Sequence, residues 1–277
     1  MNAAYGKGLK KMKKIRMYFY INMIIVIMNL CCCTAGKTEE SFINETEENA
    51  VRETDENSIN ETEVNTNIVG EGDNVMTDLN QKSFTEIRGI LEKYGISGIT
   101  DEMIERYEEN MKLMPEVFEF NNKTAMLLTE AGTGVTNYDT WEWTPAENGV
   151  YCFDVEVFNP EMMYTNFLLG VSAIGEGELD FKNITEDTGG VDWENGTGKR
   201  TVSFEWNGCT YTLEAECNND WFDSAVASGL SRIIMENGNG KRLYFASDGY
   251  QECIVFYRDA EWAEAFQKET GLSLSEY

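Results

Sequence analysis

From Ser83 onward the apolar positions of the chain follow first a helical and then an alternating period. In SFTEIRGILEKYG, Phe84, Ile87, Leu91 and Tyr94 fall on one helical face, Ser83 and Glu86 stand at capping-box separation, and Gly95 supplies a stop. TDEMIERYEENMKLMP predicts a second amphipathic helix, capped by Thr100 and ended before Pro115, and KTAMLLTEAG predicts a short third one. Together they form a helical layer that needs a sheet to cover.

Three strand pairs then follow, each leading into a helix. TWEWTPAENGVYCFDVEVF predicts a hairpin turning at Asn148 and Gly149, then a helix from Asn159 and Pro160 that buries Met163, Phe167, Val171 and Ile174. KRTVSFEWNGCTYTLEAEC has a two-residue turn, Asn207 and Gly208, whose register sets Phe204 opposite Tyr211 and Val202 opposite Leu213 on one face. A helix from about Asp220 should bury Phe222, Val226, Leu230 and Ile233. KRLYFASDGYQECIVFYRD turns near Asp248 and Gly249, and a helix capped by Asp259 carries Trp262 and Phe266 up to Gly271. One further strand is expected around Leu179 to Ile184. The fold class is therefore α+β, an antiparallel sheet of three hairpins each followed by a helix, with a helical segment in front. NGTGKR and NGNGKR before the last two pairs hint at an internal duplication.

The region before Ser83 has a different pattern. Lys7, Lys10, Lys11, Lys13, Lys14 and Arg16 precede an apolar run from residue 17 to 33 that is broken by Asn22 and Asn29. Basic, then apolar, then small is the order of a secretory signal, and a run of this length is short for a spanning helix, which remains the alternative. The run ends in Leu30, Cys31, Cys32 and Cys33. These four positions resemble the lipobox of bacterial lipoproteins, with a leucine three residues before the modified cysteine. The resemblance implies cleavage before Cys33, a diacylglycerol on its sulfur, and anchoring of the chain on the extracytoplasmic face of the cell membrane. Residues 1–32 are then a signal peptide. Residues 33–82 are the lipidated cysteine and an acidic tether, with 13 Asp or Glu after Cys33 and a loose eight-residue repeat from Ile43. Residues 83–277 form a single domain.

Charge and chemistry narrow the function by exclusion. With 49 acidic residues against 22 basic ones, the net charge of −27 opposes nucleic acid and anionic lipid surfaces. The chain has no histidine, which removes Ser-His-Asp and Cys-His catalysis and histidine-ligated zinc together. Cys152, Cys209, Cys217 and Cys253 lack C-x-x-C spacing, and no cofactor or metal is expected. Gly196 to Lys199 imitates part of a phosphate loop, but Trp193 stands where the first glycine is needed and Arg200 where Ser or Thr is needed. Carboxylates are too abundant for any pair to be diagnostic.

One loop stands out. In EDTGGVDWENGTG, Asp192, Trp193 and Glu194 sit among glycines, and a tryptophan presented this way suits a recognition contact. The expected function is a non-catalytic binding module for a protein, glycan or small ligand, carried on a tether and held at the membrane by its lipid. The alternative is an extracytoplasmic hydrolase working by carboxylates.

Overall fold

The computed structural model describes residues 79, 81–115, 122–140 and 142–277, which belong to one compact unit running from Val64 to Tyr277. The leader, Cys33 and most of the tether lie outside the described residues.

Among the described residues the first three named helices are α1 (Phe84–Lys93), α2 (Asp101–Leu113) and α3 (Lys123–Gly132). Each start is set by its own cap. Ser83 Oγ accepts from Glu86 N at 3.2 Å while Glu86 accepts from Ser83 N at 2.8 Å, so two of the amides that α1 leaves unpaired are satisfied reciprocally. Thr100 caps α2 and Asn122 caps α3. Leu79, four residues before the expected domain start, is already buried against this layer.

Among the described residues the strands form three antiparallel sheets. A two-stranded one joins β1 (Val135–Asn137) to β2 (Glu142–Thr144). The central sheet has β3 (Tyr151–Asp154) beside β9 (Glu252–Arg258), which pairs in turn with β8 (Arg242–Ser247). In the third, β6 (Thr197–Trp206) lies between β4 (Lys182–Asp187) and β7 (Cys209–Glu216), and the short β5 (Val191–Asp192) also pairs with β6. Three more helices complete the fold: α4 (Met163–Ala173), entered through a 3-10 turn at Pro160–Met162, α5 (Ser224–Asn237), and α6 (Ala260–Thr270), capped by Asp259 and stopped at Gly271 in the left-handed region. An α+β fold with antiparallel sheets is what the hydrophobic pattern predicts.

Two cores result, one on each face of the central sheet. Cys152, Tyr244, Ala246, Ile254 and Phe256 point into a core with α1, α2, α3 and α6. Their strand neighbours Tyr151, Leu243, Phe245, Val255 and Tyr257 point the other way, onto α4, α5 and the inner face of the β4–β6–β7 sheet. Helices α4 and α5 thus pack between two sheets, α4 touching β3 and β4 and α5 touching β7 and β8. This explains why α4 buries a broad face, Met163, Tyr164, Phe167, Leu168, Gly170 and Val171, while Leu169 stays exposed. The approach is close enough to require a glycine. A Cβ on Gly170 would stand 2.4 Å from the Tyr151 ring.

The second hairpin has the expected register. Phe204 pairs with Tyr211 and Val202 with Leu213, and the rings of Phe204 and Tyr211 stack at 5.5 Å. The first expected hairpin does not form. β2 turns back onto β1, and β3 pairs with β9. Asn148 explains the difference: only Gly149 of the expected turn pair has positive φ, while Asn148 donates through Nδ2 to Ala131 O at 2.9 Å and accepts from Ser97 N. Residues 145–149 are therefore tied to the helical layer and cannot close a two-residue turn. The helix expected from about Asp220 begins at Ser224, with Asp223 as its cap.

Candidate functional site

The loop singled out by its tryptophan is built from β4, β5 and β6. After β4 the chain reverses, with Gly189 N donating to Asp187 at 2.8 Å and Val191 N to Thr188 O at 3.0 Å. β5 then pairs Val191 with Gly198 and Asp192 with Thr197, leaving Trp193 to Gly196 as a tight turn between them. Asp192 organises that turn. Its carboxylate accepts from Glu194 N at 3.1 Å, Asn195 N at 3.2 Å and Asn195 Nδ2 at 2.8 Å, and these bonds, the Asn195 side chain first, hold its pKa below the usual carboxylate range. Asp192 and Glu194 are exposed and Trp193 is half-buried.

Trp193 rests on a cation. The Arg200 guanidinium lies 5.7 Å from the Trp193 ring centre and 4.9 Å from that of Tyr164, so the arginine is held between two aromatic faces. Only 2% of Arg200 is exposed. It donates through Nη2 to Pro160 O and to Glu186, while Glu186 also accepts from Thr165 N at 2.9 Å and Thr165 Oγ1 at 3.0 Å. Arg200 Nε is buried and has no hydrogen-bond partner among the described residues. Glu186 therefore joins β4 to the first turn of α4 and to β6, and Trp193 covers the group they enclose. The hydrophobic alternation contains a sign of this arrangement. Val202, Phe204 and Trp206 face inward, so Arg200, two residues earlier, must face inward too and needs an anion there.

Backbone bonds continue from this loop to other partly exposed aromatics that the pattern did not single out. Asn219 N donates to Gly196 O, Trp221 N to Asn218 O, and Trp221 bridges to Glu156. Val155 N in turn donates to Gln251 O, next to Tyr250. Phe158, Trp221 and Tyr250 are 52%, 42% and 67% exposed.

A second cluster lies under α3. Cys152 Sγ donates to Glu252 at 3.2 Å and lies 3.7 Å from Thr129 Oγ1. Burial raises the Glu252 pKa, and the charges of Asp154 and Asp248 raise it further. Burial, reinforced by Glu252, also pushes the Cys152 thiol well up, which denies it thiolate character. A cleft of about 210 Å³ opens beside this cluster, lined by Tyr107, Met126, Thr129, Asp248 and Tyr250 among others, but Glu252 is not part of its wall. The four described cysteines, Cys152, Cys209, Cys217 and Cys253, are free. Among the described residues no group of three or more Cys, Asp or Glu is placed to hold a metal ion, and no helix is long and apolar enough to cross a membrane.

Comparison of the chain with protein-family models, with curated proteins and with solved structures finds no match.

Proposed function

We propose that this chain is a bacterial lipoprotein anchored through Cys33 on the extracytoplasmic side of the membrane, and that its domain is a non-catalytic binding module. The anchor rests on the basic leader, the short apolar run and Leu30 three residues before Cys33. The binding role rests on Trp193. Its side chain is partly exposed and rests on the Arg200 guanidinium, so little side-chain entropy is left to lose when a partner covers it. The partner is a protein, glycan or small ligand.

The test is a comparison of wild-type protein with Trp193→Ala and Trp193→Phe for retention of material from the native cell envelope. Trp193→Ala should lose the retained partner while unfolding at nearly the same denaturant concentration, and Trp193→Phe should keep part of it. Equal retention by all three would exclude Trp193 as the contact.

A carboxylate-dependent hydrolase is the second reading, and Glu252 is the observation that favours it. Burial raises the pKa of this carboxyl, the direction that a general acid requires. Turnover of a glycoside or ester panel that is abolished by Glu252→Gln would replace the binding reading with this one.

A further inference from the structure

Among the described residues, no strand pairs with the outer edge of β7. Trp206 and Cys209 close the β6–β7 hairpin, and the same pairing continues beyond the strands, where Cys217 N donates to Gly198 O at 2.7 Å and Asn219 N to Gly196 O at 2.7 Å. In an antiparallel pair the residues that bond to the partner alternate with those that face away. Cys209, Tyr211, Leu213, Ala215 and Cys217 therefore spend their backbone groups on β6, while Thr210, Thr212, Glu214 and Glu216 direct theirs outward. Asp223 accepts from Glu216 N at 2.9 Å. Among the described residues, nothing takes the outward N–H and C=O groups of Thr210, Thr212 and Glu214, and all three residues are exposed. Such an edge is a template for another strand.

We propose that this edge of β7 is a strand-addition site for an extended, basic segment of a partner protein. Charge selects the occupant. A strand laid beside β7 would set alternate side chains on the outer face, next to the exposed Glu214, with Glu205 across the sheet from Thr210 and Glu216 shared with Lys199, whose Nζ lies 3.1 Å from its carboxylate. It would set the intervening ones beside half-buried Tyr211 and buried Leu213. Lysine or arginine alternating with apolar residues satisfies both rows. A second copy of this chain would bring another net charge of −27, and the acidic tether would add carboxylates to carboxylates, so neither suits the edge. Backbone bonds supply affinity in this mode of recognition, and the alternating side chains supply specificity. This edge acts independently of the Trp193 loop.

The full chain in a neutral detergent, titrated with a labelled eight-residue Lys-Val alternating peptide, provides the test. Binding is expected, with the Kd rising about tenfold or more between low and high salt as screening grows. A block peptide with the same lysines and valines unalternated should bind at least about tenfold more weakly, and so should an alternating peptide N-methylated on every second residue. Thr212→Pro removes one outward N–H and no backbone bond to β6; the hydroxyl contact of Thr212 with Ser203 on β6, 2.8 Å, is lost equally in Thr212→Val. The fold should therefore survive Thr212→Pro while peptide binding falls about tenfold or more, whereas Thr212→Val keeps both fold and binding. Should Thr212→Pro fail to fold, the N-methylated peptide decides alone. Equal binding of the block or N-methylated peptide, or undiminished binding by folded Thr212→Pro, would overturn the proposal. So would a wild-type dimer that Thr212→Pro dissociates, because the occupant would then be a second copy. Trp193→Ala should bind the peptide unchanged. Its loss of peptide would move the site to the loop, and its loss of envelope material alone would leave the edge standing.

Discussion

Glu186 and Arg200 form an ion pair whose side chains are 2% and 1% exposed. Burying both charges is costly, and the cost is offset while each has the other together with the hydrogen bonds of Thr165 and Pro160 and the Tyr164 ring. Removing one partner leaves the other buried and unpaired. Glu186→Leu or Arg200→Met alone should lower stability by about 3–5 kcal/mol. The double variant should lose clearly less than the sum of the two. Urea unfolding of the four proteins measures this, and additive losses would mean that the pair is not coupled.

Glu252 makes stability depend on pH. Its pKa is raised in the folded protein, so it contributes most below its ordinary value of 4.5, and that contribution is lost as pH rises through the raised folded value. Glu252→Gln should therefore match the wild type near pH 4, exceed it at pH 7, and show a flatter pH profile between. Thermal midpoints over that range decide the matter, and parallel profiles would show that Glu252 titrates normally.

The Asn207–Gly208 turn sets the register that stacks Phe204 on Tyr211. Both turn residues have positive φ, 51° at Asn207 and 77° at Gly208, and a Cβ at Gly208 would meet no atom within 4 Å. Gly208→Ala therefore measures backbone strain without a clash, and should destabilise the fold by about 1 kcal/mol. Asn207→Gly should be close to neutral. A loss of several kcal/mol at Gly208 would point to a contact beyond the turn itself.

The proposed anchor has a direct chemical readout. Protein extracted from the native membrane should begin at Cys33 and carry acyl mass, and Cys33→Ser should abolish the acylation while leaving the domain folded. A mass that includes residues 1–32 would show that the leader is retained.

The features legible in the amino-acid sequence are those with local causes. Ser83, Thr100 and Asp259 begin helices because each side chain reaches an amide two or three residues away, and the β6–β7 register follows from a two-residue turn joined to a period of two. The exposed, turn-forming position of Asp192 follows from the same short range. The pairing of β3 with β9, about a hundred residues further on, is not local: Asn148, which looks like turn material, is drawn away by Ser97 and Ala131, and β3 is left to find another strand. The support for Trp193 is also tertiary. Alternation turns Arg200 inward, but only the packing of β4 and α4 against β6 brings Glu186, Thr165 and Tyr164 around it. A buried charge can be paired from anywhere in the chain, because desolvation makes the partner necessary without specifying its position in the sequence.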